Sequence, residues 1–238
     1  MPTKILFVLH LPPPIHGSAM VGQYIKDSEI LNNSFDSKFI NLSTSKTIEE
    51  IGQRPIVKSI RYFKILINFL FTLLIFKPDK IYLAITAKGI GFYKDFLFAF
   101  LAKLFGKKLV LHFHNKGVSL NQDKFVDNLL YRFLFNKTKV ILLSENLFHD
   151  VSKYVKPYNV FYCPNGIPVV KDSNLNKSSY NEVLQLLFLS NLHESKGVYI
   201  LLEALEYLNN QRLNFHCNII GSEGDISLTQ LYQKIKYL

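Results

Sequence analysis

Three stretches pair polar or basic side chains with glycine: HLPPPIHGSAM at 10–20, HFHNKG at 112–117 and FLSNLHESKG at 188–197. In the first, prolines 12, 13 and 14 fix φ and lack an N–H, so they hold a stiff loop that cannot pair as a strand. Gly17 then lets backbone approach a phosphate or sugar, and the helix expected behind it offers free N–H groups and a positive dipole end to an anion. A rigid turn closed by glycine explains the same residues equally well. In the second stretch, His112 and His114 lie two apart on an expected strand and so face one side, with His114 at the strand's end able to reach into a cleft. A metal pair needs further ligands at fitting spacing, and the sequence shows none. A hydrogen-bonded structural role is the commoner one for any single histidine. In the third, Lys196-Gly197 at a helix start sets an ammonium beside free N–H groups, a fit for a diphosphate; the plainer reading is a solvated lysine.

Several other chemistries fail a direct search. GIGFYK at 89–94 lacks the third glycine of a dinucleotide fingerprint, and GKK at 106–108 lacks the Ser or Thr of a P-loop. There is no Asp-x-Asp to hold a metal, no GxSxG elbow and no redox CxxC; no metal or other cofactor is expected. The 28 Lys and Arg against 18 Asp and Glu favour acidic partners such as nucleotide diphosphates or anionic lipid headgroups. Nucleic acid fits less well, because the aromatic residues fall inside expected helices and strands and form no recognition motif. Cys163 and Cys217 stand far apart, so a reducing compartment fits best. The first apolar run is too short for a signal peptide, which makes a cytoplasmic protein the expectation.

The elements that must position these residues alternate. Strands are expected at 5–9, 37–42, 80–85, 108–113, 139–144 and 159–167. Helices are expected at 18–31, from Pro55 to Phe76, 92–105 with Gly106 as its stop, 123–135 and 145–155. That order predicts an α/β fold with a parallel, doubly wound sheet covered on both faces. The apolar run ILINFLFTLLIF at 65–76 is shorter than the ~20 residues that span a bilayer, and it reads as a buried core helix. Lys58, Arg61 and Lys64, with Lys103, Lys107 and Lys108 near a second apolar helix, leave peripheral membrane contact as the other reading. The polar stretch 169–183 reads as a linker. A second α/β unit follows, with strands at 184–190 and 214–221 and helices at 196–208 and 227–238. Two strands make only about a third to a half of a doubly wound domain, so a truncated form, or a separate chain completing the sheet, is expected.

Taken together, the Pro-rich loop ending His16-Gly17, the strand-end histidine of LHFHNKG, ProAsnGlyIle at 164–167 and LFLSNLHESKGVYILLEAL resemble the family-4 glycosyltransferases, retaining enzymes of the GT-B fold. The resemblance implies a Rossmann-like acceptor-binding domain over 1–168, the linker 169–183 and a partial second Rossmann-like, nucleotide-sugar-binding domain over 184–238. It puts Gly17 against the donor's diphosphate and sugar, His114 as the catalytic-cleft residue on the sugar with His112 the weaker candidate, and Lys196 on the diphosphate. GlySerGluGly at 221–224 matches the glycine turn of the donor domain. Ser190-Asn191 stands where the family carries an arginine beside a glycine, so Asn191 would donate a neutral hydrogen bond, roughly half as strong as a charge-assisted one. The family's paired glutamates, eight positions apart, would lie beyond residue 238, which implies impaired activity for this chain. The partners implied are a nucleotide sugar and a glycan or lipid-linked acceptor, in cell-surface polysaccharide assembly at the inner face of the membrane. The rival reading is a non-catalytic remnant or partner subunit that binds acceptor or a membrane surface.

Overall fold

The computed structural model describes residues 2–45, 55–167 and 183–236. The linker expected at 169–183 therefore falls, but for Val183, outside the described residues, as does much of the loop expected before Pro55. Two compact units make up the chain, Met1–Pro168 and Val169–Leu238.

The first unit opens with β1 (Lys4–Leu9), α1 (Gly17–Asp27), α2 (Glu29–Ser34), β2 (Asp36–Asn41), α3 (Pro55–Ile75) and β3 (Lys80–Ile85). It continues with α4 (Gly89–Leu104), β4 (Lys108–Phe113), α5 (Val118–Asn121), α6 (Phe125–Phe135), β5 (Lys139–Leu142), α7 (Phe148–Val151) and β6 (Val160–Tyr162). The six strands are all parallel, in the order β2-β1-β3-β4-β5-β6.

Strand order decides which helices cover which face. Right-handed crossovers put the helices of steps in opposite directions on opposite faces. Only the step from β1 to β2 runs one way, so α1 and α2 lie on one face while α3, α4 and α6 lie on the other. On that second face Leu6, Leu83, Leu111 and Phe113 bury against Phe69 of α3, Phe92 and Phe98 of α4 and Tyr131 of α6. Beneath α1 and α2, Ile5, Phe7, Leu9 and Tyr82 form a smaller core with Ile25 and Phe35. The expectation of a sheet covered on both faces needs correction. Among the described residues α1 and α2 cover only one side of their face, and an apolar groove of about 820 Å³, floored by Tyr82, Val110, His112 and Ile141, stays open beside them.

Further departures have local causes. The single helix expected over 18–31 divides at Ser28, whose hydroxyl accepts from Leu31 N and caps α2. The helix expected over 145–155 reduces to a 3-10 turn followed by α7, and the strand expected to reach 167 stops at Tyr162. Helix α3 is not the buried helix its composition suggests: only Phe69 and Leu73 are buried, because one side alone meets the sheet.

The second unit holds β7 (Leu184–Leu189), α8 (Val198–Asn210), β8 (Phe215–Ile220) and α9 (Leu228–Ile235). The two strands pair in parallel. Val198, Leu202 and Leu205 of α8 and Leu231 of α9 pack on one face of the pair against Leu186, Phe188 and Ile219. Leu187, Leu189 and Ile220 on the other face are exposed.

Candidate functional site

In the first unit the chain leaves β1, β3 and β4 at one edge of the sheet, the edge where open α/β sheets bind ligands. His10, His16, Gly17 and Ser18 from the first crossing, Thr86 from the second, and His114 and Asn115 from the third line one pocket of about 290 Å³. Gly17 and His114, far apart in sequence, thus share a wall.

Gly17 is the first residue of α1, and a Cβ built on it would meet nothing within 4 Å. The fold itself does not demand glycine there; only something occupying the pocket would. Gly22, one turn further on, is the opposite case. Its Cβ would collide with the His10 carbonyl and press on Leu9, so that glycine seats α1 on the end of β1.

His16 caps α1: its Nδ1 accepts from Ala19 N at 3.3 Å, with the Ser18 hydroxyl 3.1 Å away. An Nδ1 that accepts fixes the neutral tautomer with the proton on Nε2, and that N–H is the donor left over. Burial holds the pKa of His16 and of His114 below the ordinary imidazole value. His10 is lowered to about 4, first by burial and then by His16 and His114. These rings are therefore neutral at pH 7, suited to hydrogen bonding with hydroxyl or phosphate oxygens rather than to carrying charge.

His112 lies one step deeper on the same face, its ring centroid 4.2 Å from that of His114. It pairs through Nδ1 with the Tyr82 hydroxyl. Burial raises the Tyr82 pKa, and burial with the neighbouring His114 lowers that of His112 to about 3, so the phenol donates to a neutral imidazole. This is the structural histidine of the pair. Among the described residues His112 Nε2 and His114 Nδ1 are buried without a hydrogen-bond partner. Such groups cost about 1–3 kcal/mol each; His114 lines this pocket, whereas His112 lines the apolar groove beside α1 and α2.

Two buried carboxylates, Asp95 and Asp150, and the amide of Asn115 hold the wall in place. Asp95 Oδ2 accepts from Thr86 N at 2.8 Å, and Asn115 Oδ1 from Ala87 N at 2.9 Å. Asp150 accepts from Gly117 N, Val118 N, Ser119 N and the Ser119 hydroxyl at 2.6–3.1 Å, fixing the segment after His114 and creating α5. Burial alone would raise the Asp150 pKa, but these four bonds outweigh it and hold the group below its ordinary value. Asp95, more thoroughly desolvated, is raised to about 6.

The second unit presents its candidates on the loop after β7. Asn191 Oδ1 accepts from Ser222 N at 3.2 Å, and Asp225 Oδ1 accepts from Glu194 N at 2.9 Å, stitching this loop to the one after β8. A Cβ at Gly221 would strike the Ser190 carbonyl, which explains the glycine opening 221–224. Lys196 ends a 3-10 turn and is exposed; Gly197, at φ +83°, follows as the cap of α8. The helix thus begins at Val198, two residues later than expected.

Sequence reasoning did not single out His10, Thr86 or Asn115, and met His16 only inside a motif. The available signal was position: each lies at or just beyond the end of an expected strand or, for His16, in the loop that follows one, and such residues converge in a parallel sheet. Among the described residues no group of three or more His, Cys, Asp or Glu is placed to hold a metal ion.

No family model matches the chain, and no curated protein does. Solved structures do. A Listeria monocytogenes protein assigned as a UDP-N-acetylglucosamine 2-epimerase superposes with a TM-score of 0.56 at 9% identity, over 100% of this chain and 66% of that one. The α,α-trehalose-phosphate synthase (UDP-forming) of Burkholderia xenovorans, in complex with glucose-6-phosphate, gives 0.54 at 11% identity, over 98% and 68%. The chain spans about two thirds of the length of these proteins. The likeness establishes the class by fold: an α/β protein of the GT-B kind whose first unit is Rossmann-like.

Proposed function

We propose that the chain is a retaining glycosyltransferase of the family-4 type, moving a sugar from a nucleotide-sugar donor to a glycan or lipid-linked acceptor. The observation that carries this reading is the pocket in which the bare α-carbon of Gly17 and the His114 ring line the same wall at the ligand-binding edge of a Rossmann-like sheet. The first residues of α1 offer N–H groups to a diphosphate, and the neutral His114 and His16 rings offer hydrogen bonds to sugar hydroxyls. In the second unit Lys196 supplies the ammonium that neutralises charge on the departing diphosphate, and Asn191 adds its amide N–H. No side chain attacks the sugar; the acceptor enters on the face the diphosphate leaves, and the product retains its configuration. Both solved relatives carry UDP chemistry in their names, which makes a uridine donor the first to try.

The acceptor side of the reading places the protein peripherally at the cytoplasmic face of a membrane, in cell-surface polysaccharide assembly. Ligand-detected NMR of the purified chain against UDP-sugars and GDP-sugars tests the donor side. At least one should bind, and His114→Ala should weaken it by about tenfold, the scale of one or two lost hydrogen bonds. Absence of binding to every donor sinks it.

A second reading draws on the exposed Leu187, Leu189 and Ile220. A further chain segment or subunit completing the β7–β8 sheet would cover them, and the chain would then act as one part of a divided donor domain.

A further inference from the structure

Helices α3, α4 and α6 bury one side against the sheet and turn a second apolar side outward. On α3, Ile56, Ile60, Phe63, Ile67, Phe71 and Leu74 recur at steps of three and four and are all exposed, Ile56 at 75% and Phe63 and Phe71 at 58%. Residues so spaced form a single stripe along the helix. The helices are neighbours, since the Tyr62 hydroxyl of α3 donates to the Lys94 carbonyl of α4 at 2.9 Å. The exposed rings of Phe100 on α4 and Phe133 on α6 lie 5.6 Å apart, and Leu104 beside them is 69% exposed. The stripes therefore belong to one surface, and monomers in water rarely leave so much apolar area in one place.

Charge decides what covers it. Residues 55–144 hold 15 Lys and Arg against four Asp and no Glu, enough to account for the whole chain's net +10. Two of those four, Asp95 and Asp127, are buried. Lys64 and Lys94 are exposed on α3 and α4, and Lys107, Lys108 and Lys137 flank a recess at the far end of α4. A second copy of the chain would bring like charge against like. Anionic headgroups above an acyl layer complement both features, apolar side chains and surrounding cations. No described helix is long and apolar enough to cross a membrane, so the contact this surface suits is a lateral one.

We propose that the outer face of α3, α4 and α6 docks on a membrane containing anionic lipid, with α3 lying in the headgroup plane. Arg61 donates to the Thr44 carbonyl at 2.9 Å, which sets the first turns of α3 beside the chain just past β2. That is the sheet edge that holds the Gly17–His114 pocket, so a lipid-linked acceptor standing in the bilayer would present its head group at that edge. This deepens the acceptor side of the function proposed above and rests on it for the acceptor alone; the docking test needs no turnover.

The test is co-flotation of the purified chain with vesicles of phosphatidylcholine alone and of phosphatidylcholine mixed with phosphatidylglycerol. Binding to the mixed vesicles is expected to exceed binding to the neutral ones by about tenfold and to fall as salt rises. The triple change Ile60→Asp, Phe63→Asp, Ile67→Asp should abolish it while the circular dichroism spectrum and the donor binding stay as in wild type. Lys64→Glu with Lys94→Glu, which disturbs no packed residue, should weaken it several-fold. No flotation, or equal flotation with neutral vesicles, overturns the proposal. So does a wild type that is dimeric by light scattering and becomes monomeric in the triple variant, since that gives the face to a second copy. Loss of donor binding with vesicle binding intact would instead count against the proposed transferase alone.

Discussion

The loop after β4 and the loop after β7 hold the same place in their units, just past the carboxyl end of a parallel strand, yet they are secured differently. His114–Ser119 is tied down by the buried Asp150 with four hydrogen bonds, and Asn115 and Asp95 fix the adjoining turn after β3. Ser190–Gly197 is tied to the loop after β8 by bonds that solvent reaches, Asn191 to Ser222 and Asp225 to Glu194. Bonds made in a low-dielectric interior cost more to break than exposed ones, which water replaces. The first loop is thus built as a fixed wall. The second presents Lys196 on a support that opens more readily, which its proposed role of meeting charge as it develops can tolerate.

The largest expected effect breaks the fixed wall. Asp150→Ala leaves three backbone N–H groups, two of them buried, without an acceptor and should cost about 3 kcal/mol or more in chemical denaturation, whereas Asp225→Ala in the second unit should cost about 1 kcal/mol or less. Equal losses would erase the distinction. The glycines come next. Gly22→Ala drives a methyl into the His10 carbonyl and should destabilise by about 1–3 kcal/mol, while Gly17→Ala, which opens into empty space, should leave the melting temperature unchanged.

Acid titration sharpens the comparison further, because the two carboxylates behind the wall pull in opposite directions. Asp150, held below its ordinary 3.8, contributes stability that is present above pH ~4 and lost as pH falls through its lowered value. Asp95, raised to about 6, is protonated in the folded protein while still ionised in the unfolded chain between pH ~4 and ~6. Its contribution therefore grows as pH falls from 6 to 4 and is absent above 6. Asp95→Asn should remove that rise and keep the acceptor for Thr86 N. Denaturant titrations at pH 4, 5, 6 and 7 measure it, and an unaltered pH profile would be the contrary result. The smallest effect is expected at Lys196→Ala, which touches no packed residue: folding stability unchanged, with donor diphosphate held several-fold more weakly.

Much of this frame was legible in the sequence, for reasons that also mark where legibility stopped. The strands at 80–85 and 108–113 appear at the predicted residues, because a strand buried on both faces reads as an unbroken apolar run between clear stops such as Lys77-Pro78-Asp79 and Gly106. α5 was not visible, since what orders it is Asp150, some thirty residues later. The exposure of α3 was hidden by its own composition: apolar residues all round the helix give no period from which to tell the inward side. His10 and His16 gained a role only when β1 came to lie beside β3, a pairing no local pattern encodes. Gly17 and His114 could be nominated separately; that they line one pocket is a fact of the sheet order.

In the proposed reaction the donor occupies the empty space in front of Gly17. Calorimetric titration of the best-binding nucleotide sugar into wild type and Gly17→Val, with melting temperatures taken alongside, tests it most directly. Affinity should fall by about tenfold or more with the melting temperature unchanged, because a Cβ at this position meets no atom of the fold and the side chain extends into the proposed ligand space. Undiminished affinity in a folded Gly17→Val protein would contradict it.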